Sequence, residues 1–265
     1  MMVKGKMAIV TGGGRGFGKT IALTLAKEGA DVSVWGRTPA TIDQTAREIR
    51  ALGRKALPIR ADVSNSSQVN KAVEQVLDAW GRIDILVNNA AVMPQTGRKP
   101  PSPEAHPILD FTDEQWAEQI AVDLTGVFYC IRAVLKPMMA QRYGKIISIG
   151  SISGVNGGYF STPAYSAAKA GIMGLTMLTA RWVGKYGINI NVVNPGPIKT
   201  EGATFTPQQL ELLQSLIPFR RNGVETEVMG VPQDIADAVL FFASDRSAFI
   251  TGTSINVMGG QWMGK

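Results

Sequence analysis

The sequence predicts an α/β protein built on a doubly wound parallel sheet of about seven strands, with helices on both faces in a three-layer α/β/α arrangement. Three observations predict this fold. Short apolar runs alternate with longer amphipathic segments, which implies right-handed crossovers between parallel strands. The runs lack the polar alternation of a sheet with one solvated face. No linker, charge block or repeat marks a boundary, so we predict one domain over residues 1–265.

The predicted strands are the short β-rich apolar runs, and helical periodicity fills the gaps between them. In order they are 7–11, 31–35, 55–60, 84–88, 144–150, 188–191 and 254–258. Two irregular segments, 92–110 and 195–206, follow predicted strands. Because ligands of open parallel sheets bind beyond the carboxyl ends of the strands, we expect both segments to border a ligand site, with plain connecting loops as the alternative. His106 has no metal-ligand companions, so we assign it no function and predict no metal site.

The composition excludes several classes of protein. It has 45% apolar residues and 29 glycines without a low-complexity tract, which is typical of a globular protein. The net charge is +6, but the basic residues are scattered, so we predict no nucleic-acid partner. No stretch approaches the ~18 apolar residues of a membrane span, and the N-terminus has no signal-peptide core, so we predict a cytoplasmic protein with no membrane partner. Cys130, the one cysteine, is predicted to be a buried packing residue.

A glycine-rich turn, "VTGGGRGFGKT", follows the first strand and opens the first helix. Its spacing is Gly12-x-x-x-Gly16-x-Gly18 rather than G-x-G-x-x-G, but its mechanics are those of a dinucleotide turn. Glycines let the backbone approach a pyrophosphate, and helix N-terminal amides favour its negative charge. We therefore assign cofactor contacts to Gly12, Gly14, Arg15, Gly16, Phe17 and Gly18.

The end of the second strand favours NADP over NAD, although NAD stays possible. Asp31 follows the glycine turn by about the number of residues expected of a ribose-binding acid. It begins the strand, however, roughly 15 Å from the carboxyl end. Gly36 leaves room for a 2'-phosphate, which Arg37 and Arg15 can bind from two sides. After the third strand, Asp62 is predicted to accept from the adenine amino group beside Val63, with capping of the following helix as the alternative.

Tyr165 and Lys169, in "YSAAK", are four residues apart and therefore neighbours on one helix face. A phenol has a pKa of ~10, so proton exchange near pH 7 requires about 4 kcal/mol of preferential stabilisation of the phenolate, and a nearby cation has the right sign. Ser151, at the end of a strand, is predicted to hold a carbonyl oxygen that Tyr165 protonates. A turn cap is the alternative for Ser151, and Ser153 is its nearby competitor.

These motifs together resemble the short-chain dehydrogenase/reductase family along essentially the whole chain. The resemblance rests on "TGGGRGFG", "ADV", "NNAA", "GSISG", "YSAAK", "NPGPIKT" and the C-terminal "ITG" and "MGG". It implies a Rossmann-like fold and a catalytic set of Ser151, Tyr165 and Lys169, with Tyr165 and Lys169 also contacting the cofactor. It further implies cofactor contacts from Asn88 or Asn89, Ala90, Pro195, Gly196, Ile198 and Thr200.

Two positions depart from the family pattern. The family has an asparagine in its fourth helix, within "N-L-x-G", and this chain has "VDLTG" with Asp123 in that place. A carboxylate can hold a relay water but cannot donate as an amide does. The usual "NNAG" reads "NNAA", which places Ala91 beside the cofactor.

The resulting prediction is an NADP-linked oxidoreductase that interconverts a ketone and a secondary alcohol, with Tyr165 as general acid and base. The alternatives are an NAD-linked dehydrogenase of small or cyclic alcohols or sugars, a 3-oxoacyl carrier-protein reductase with Arg142 and Lys185 in a basic patch, and a non-catalytic NADP(H)-sensing module. Residues 195–225 are predicted to form a substrate loop.

The resemblance also implies a homotetramer or dimer through the fourth and fifth helices, with the C-terminal "INVMGGQWMGK" near an interface. Four methionines suit either that interface or a monomer core: Met138, Met139, Met173 and Met177.

Overall fold

The computed structural model describes residues 1–92, 108–158, 161–200 and 205–263. Its strands are β1 (Met7–Thr11), β2 (Asp31–Gly36), β3 (Ala56–Arg60), β4 (Ile85–Asn88), β5 (Gly144–Ile149), β6 (Ile188–Pro195) and β7 (Ser254–Val257). They form one sheet in the order β3-β2-β1-β4-β5-β6-β7, and every neighbouring pair is parallel. The predicted doubly wound fold is confirmed.

The helices fill the connections between strands. They are α1 (Gly16–Lys27), α2 (Pro39–Ala51), α3 (Ser66–Trp80), α4 (Asp113–Ile120), α5 (Gly126–Gln141), α6 (Ser153–Asn156), α7 (Pro163–Val183), α8 (Pro207–Leu216) and α9 (Pro232–Ala243). A five-residue π-helical turn, Ala121–Thr125, joins α4 to α5. π-Helical turns occur frequently at functional sites.

Successive residues of the central strands point to opposite faces, and both faces are buried. On one face, side chains such as Ile9, Leu86 and Ile146 pack against α3, α5 and α7. On the other, residues such as Val10 and Val87 pack against α1, α2 and α9. Full burial of each such side chain contributes about 1.5–3 kcal/mol. This two-sided burial explains why the strands show no polar alternation.

The longest strand extends further than the sequence predicts. The run "ININ" predicts a strand over 188–191, whereas β6 continues to Pro195. Val192 and Val193 align with β5 and also with Ser254 and Ile255 of β7, and the last two residues of β6 pair with β7 alone. The extension depends on pairing partners distant in sequence, which a local apolar run does not reveal.

The sheet order reverses between β1 and β4. From β1 the chain moves outward to β2 and β3, then returns to β4 on the other side of β1. In open α/β sheets a crevice forms at such a reversal, outside the carboxyl ends of the strands. The glycine-rich turn after β1 and the "NNAA" segment after β4 both lie at that edge.

The structure shows how the cysteine and the four methionines are packed. Cys130 is 1% exposed and burial raises its pKa to about 12, as expected for a packing residue. Met138 is buried, Met139 and Met173 pack partly buried against the core, and Met177 is exposed. In the part of the chain that the structure describes, no helix combines the length and apolarity needed to span a membrane.

Candidate active site

The glycine turn (residues 11–18) is shaped by contacts that exclude side chains. Gly12 has φ +63°, and a Cβ there would lie 2.9 Å from both Ala90 Cα and Asn89 Nδ2. A Cβ on Gly14 would lie 2.5 Å from Thr41 Oγ1. Gly16 has φ +51°, but a Cβ there would face open space. The turn therefore packs tightly against β4 and α2 while its tip is open.

The first turn of α1 has no side-chain cap among the residues that the structure describes. Its N-cap residue, Arg15, makes no side-chain capping hydrogen bond, and the first turn contains no acidic residue. Arg15 is exposed and Phe17 is partly buried. The first amides of a helix have no intrahelical partner, and the helix dipole favours an anion there. The open glycine tip and these amides fit the pyrophosphate of a dinucleotide.

Thr11 and Asn89 fix the glycine turn to the end of β4. The Thr11 hydroxyl accepts from the amides of Asn89 and Ala90, at 3.0 Å each. The Asn89 amide group donates to the carbonyl oxygens of Thr11 at 3.0 Å and Gly12 at 3.2 Å. Asn88 is buried, and its amide donates to Ser148 Oγ. Sequence analysis missed Thr11, whose signal was a hydroxyl residue directly before the glycines.

Asp31 is far from the cofactor edge, as predicted. It begins β2, where its carboxylate accepts from the Lys55 amide at 2.9 Å and pairs with Arg54 at 2.7 Å. At the other end of the strand, Arg37 is exposed, as is Arg15. Among the residues that the structure describes, neither of these two guanidinium groups forms an ion pair. Both are available to an anionic ligand.

Gly36 has a packing role beside the predicted one. A Cβ at this position would lie 2.9 Å from Ile42 Cγ2 of α2. The fold itself therefore requires a small residue there, whether or not a phosphate binds.

One of the two roles considered for Asp62, capping of α3, is not what the structure shows. Asp62 does not cap α3, because Asn65 is the N-cap residue and accepts from the Gln68 amide. The Asp62 carboxylate instead accepts from the Ser64 amide at 3.0 Å and the Ser64 hydroxyl at 2.7 Å. Capping was a wrong expectation because the helix begins four residues beyond Asp62. Val63 is buried against α5, where a Cβ on Gly126 would lie 2.8 Å from its Cγ2.

Ser151 and Tyr165 are brought together by the close packing of α6 on α7. A Cβ on Gly154 would lie 2.5 Å from the carbonyl carbon of Lys169, so the two helices approach at backbone distance. Ser151 follows β5, and its hydroxyl lowers the pKa of the Tyr165 phenol. Its Oγ also accepts from the Ser153 amide at 3.1 Å, so it caps a turn as well.

Lys169 is 3% exposed and points toward the end of β5. Its Nζ donates to the Ile149 carbonyl at 2.9 Å and lies 5.3 Å from the centroid of the Tyr165 ring. Burial lowers the pKa of Lys169, and the Asp123 carboxylate raises it. The ammonium thus lies beside the phenol ring, and its charge interacts with that of the Asp123 carboxylate.

The Tyr165 phenol is harder to ionise than the sequence argument predicts. Desolvation by the surrounding protein raises the pKa of Tyr165 to about 12, the Ser151 hydroxyl lowers it, and the charge of Asp123 raises it. The residues alone therefore do not lower this pKa. The physical reason is that burial dominates and that the negative charge of Asp123 acts in the same direction.

Asp123 lies in the π-helical turn and is fully buried. Its carboxylate accepts from the Val92 amide at 2.7 Å and from Gln119 at 3.4 Å. Burial raises the pKa of Asp123, while Lys169, Val92 and Gln119 lower it. Gln119, which is 4% exposed, was missed by sequence analysis. Its only signal is a polar residue four positions before Asp123.

The end of β6 lies beside the Ser151 turn. The Pro195 carbonyl accepts from the Ile152 amide at 2.9 Å, and the Gly196 amide donates to Val257 at 3.0 Å. The position of Gly196 excludes a side chain, because a Cβ there would overlap Met258. Ile198 is 7% exposed and pairs with Gly230, and Thr200 is partly buried.

Some predicted features fall outside the described residues. They are His106, most of the irregular segment 92–110, and residues 201–204 of the predicted substrate loop. Within the described ranges, no cluster of three or more potential metal ligands is found. Arg142 and Lys185 are neighbours, because Arg142 Nη2 donates to the Lys185 carbonyl at 2.9 Å.

Comparison of the sequence with known proteins points to one family. A family model described as short chain dehydrogenase matches residues 6–211. The 3-oxoacyl acyl-carrier-protein reductase of Escherichia coli K12 is 36% identical over 270 residues, which cover 99% of this chain and 100% of the relative. The reductase of the same name from Synechocystis is 37% identical over 260 residues, 97% of each chain.

A solved structure gives the same result. The crystal structure of the 3-oxoacyl acyl-carrier-protein reductase from Brucella melitensis aligns with a TM-score of 0.88 and 30% identity. The alignment covers 99% of this chain and 93% of that one.

Proposed function

The chain belongs to the short-chain dehydrogenase family of NAD(P)-dependent oxidoreductases, and we propose that within it the protein is an NADP-linked enzyme interconverting ketones and secondary alcohols. One observation supports this above the others. The buried Lys169 ammonium lies 5.3 Å from the centroid of the Tyr165 ring and donates to the carbonyl of Ile149 at the end of β5, two residues before Ser151, at the same edge of the sheet as the glycine turn. This arrangement fits proton exchange at an oxygen next to a bound dinucleotide.

Each residue of this group has a distinct role in the proposal. The nicotinamide, when bound, supplies or accepts the hydride. Ser151 orients the substrate oxygen, and Tyr165 gives that oxygen a proton in reduction or takes it in oxidation. A phenol with its pKa raised to about 12 is protonated at neutral pH, which suits the donor role in reduction. Lys169 would stabilise the phenolate that forms and would bind the nicotinamide ribose.

The dinucleotide would be held along the carboxyl edge of the sheet. The pyrophosphate fits the amides at the start of α1, next to Gly12, Gly14, Gly16, Phe17 and Gly18. Arg15 and Arg37 would bind a 2'-phosphate, which favours NADP, with NAD as the alternative. Asp62 and Val63 would contact the adenine, and Asn89 and Ala90 would shape the crevice. Pro195, Gly196, Ile198 and Thr200 would lie along the nicotinamide half.

Asp123 is proposed to act through Lys169. The carboxylate raises the pKa of Lys169 and so favours the ammonium form against the opposing effect of burial. A charged lysine is what the phenolate requires. The same carboxylate offers a buried acceptor for a relay water.

A second candidate is reduction of a 3-oxoacyl group on an acidic carrier protein. The names of the relatives at 36% and 37% identity favour it. The adjacent, exposed Arg142 and Lys185 would form part of a basic docking patch. The alternative within the family is a dehydrogenase of small or cyclic alcohols or sugars, with specificity set by the substrate loop at 195–225.

A substrate panel tests the proposal. Purified protein is mixed with NADPH or NADH and a series of acyl thioesters, cyclic ketones and sugars, and the nicotinamide absorbance is followed. Turnover with NADPH supports the proposal, and the fastest substrate class separates the candidates. Dinucleotide binding without any turnover would instead indicate a non-catalytic sensing module.

Self-association is proposed through the apolar residues on the outside of the helices. Trp116 of α4 and Phe128 of α5 are 44% and 40% exposed, and Trp182 of α7 is 64% exposed. We propose that these exposed apolar side chains contribute to an interface between copies of the chain. A dimer or tetramer is the expected state.

A further inference from the structure

Gln119 connects three separate parts of the active site. Its amide nitrogen donates to the Val92 carbonyl at 2.8 Å and to Asp123 Oδ2 at 3.4 Å. Its amide oxygen accepts from the Thr162 hydroxyl at 2.8 Å. One side chain, 4% exposed, thus contacts the segment after β4, the π-helical turn and the residue before α7.

Thr162 links Gln119 to α7, the helix that carries Tyr165 and Lys169. It is the N-cap residue of α7, and its hydroxyl oxygen accepts from the Tyr165 amide at 3.2 Å. Because the hydroxyl proton is directed at Gln119, the oxygen lone pairs face the helix amide. Gln119 therefore fixes the side-chain orientation of the residue that caps the helix of Tyr165 and Lys169.

Gln119 also completes the surroundings of the buried carboxylate. Asp123 Oδ1 accepts from the Val92 amide at 2.7 Å, and Gln119 is the side-chain donor that contacts Oδ2. Within the described residues, the charged or titratable groups whose fields act with Asp123 are Lys169 and Tyr165. A buried carboxylate without its donors would lose orientation or its charge.

We propose that Gln119 is a positioning residue of this active site, holding the Asp123 carboxylate and the start of α7 in register with each other. The two ends of its amide do different work. The nitrogen orients Asp123 and the segment that ends at Val92, and the oxygen orients Thr162. The proposal rests on the proposed function, since it concerns the placement of Tyr165 and Lys169 for turnover.

Two variants separate the two ends of the amide. Gln119→Met keeps length and helix propensity but removes both polar ends. We expect kcat to fall by about 10- to 100-fold, the order of loss from a small misplacement of catalytic groups, with nucleotide affinity within about threefold of the parent. Amide hydrogen exchange in the peptide 161–170 should become faster. Glu118→Met, an exposed change on the same helix, is the control that should leave kcat, nucleotide affinity and amide exchange unchanged.

Gln119→Glu keeps an oxygen for Thr162 but loses the donors to Val92 and Asp123. Exchange in 161–170 should therefore match the parent protein. A second carboxylate beside Asp123 adds negative charge near Tyr165, so the pH midpoint of kcat for alcohol oxidation should move to higher pH. Should both variants keep the parent pH midpoint and exchange rates while only thermal stability falls, Gln119 is a structural residue and the proposal is wrong.

The exchange measurement requires no turnover, so it separates the two levels of inference. If the parent protein converts no ketone or alcohol but Gln119→Met still loosens 161–170, the positioning role stands and the proposed function fails. If the parent is active and Gln119→Met is as active and as protected as the parent, the positioning role fails and the proposed function stands.

Discussion

The ammonium of Lys169 donates a hydrogen bond to the carbonyl oxygen of Ile149, at 2.9 Å. Ile149 is the last residue of β5 and precedes Ser151 by two positions, so the strand end that presents Ser151 also anchors the lysine. The spacing on α7 places Lys169 next to Tyr165, and this bond fixes where both lie relative to the sheet. The proposed catalytic residues Ser151, Tyr165 and Lys169 thus come from the end of one strand and from one helix.

The phenol of Tyr165 is the group whose loss should be most severe. Tyr165→Phe removes the hydroxyl that exchanges the proton and keeps the ring that packs near Lys169. Turnover should fall by at least ~100-fold, the lower range for general acid and base catalysis. The measurement is kcat with the best ketone of the substrate panel, beside nucleotide affinity by titration. Near-normal turnover would remove Tyr165 from the mechanism.

Asp123→Asn should change the pH dependence in a defined direction. Oxidation of an alcohol requires the deprotonated phenol, so its rate rises as pH passes the pKa of Tyr165. Asp123 raises that pKa, because its negative charge disfavours the phenolate. Removing the charge should move the midpoint of the kcat profile to lower pH, because we expect the direct repulsion of the phenolate to outweigh the support that Asp123 gives to the charge of Lys169.

The asparagine retains an oxygen that can accept from the Val92 amide, so the local backbone should be kept. Asp113→Asn, an exposed change in the first turn of α4, is the matched control and should leave the profile unchanged. A midpoint that stays in place or rises in Asp123→Asn would contradict the assigned effect of the carboxylate.

Arg37→Ala tests the cofactor preference. A hydrogen bond to a charged group contributes about 1.5–3 kcal/mol, so loss of the guanidinium should raise KM for NADPH by roughly 10- to 100-fold. KM for NADH, which has no 2'-phosphate, should hardly change. Arg47→Ala removes an exposed arginine from α2 and should affect neither cofactor. Equal losses with both cofactors would mean that Arg37 does not contact the 2'-phosphate.

Thr11→Val should weaken the frame of the cofactor turn without touching the catalytic group. The change removes the hydroxyl that accepts from the Asn89 and Ala90 amides. Leaving these donors unpaired should cost about 1–3 kcal/mol of stability. We expect a lower midpoint in thermal unfolding and a rise in dinucleotide Kd, with kcat at saturation close to the parent value. An unchanged Kd would show that the turn holds its shape without this bond.

Local patterns in the sequence predicted much of the fold. All seven strands were located from apolar runs. Burial on both faces explains the apolar composition of the five inner strands, whereas the edge strands β3 and β7 are partly exposed. The position of Asp31 at the wrong end of β2 also follows from counting residues along a strand. The extension of β6 to Pro195 and the N-cap of α3 at Asn65 were not predicted, since each depends on pairing or on a helix start that several nearby polar residues could supply.

The sequence by itself determined which chemical groups are available: a glycine turn after the first strand, a tyrosine and a lysine on one helix face, and a carboxylate at position 123. Only the tertiary structure decided how those groups act on one another. It buried Tyr165 near the charge of Asp123, so that the pKa of the phenol rises to about 12, and it placed Gln119 between Asp123 and Thr162. The reason is that spacing along the chain fixes neighbours within a helix, whereas desolvation and contacts between elements exist only after the chain has packed.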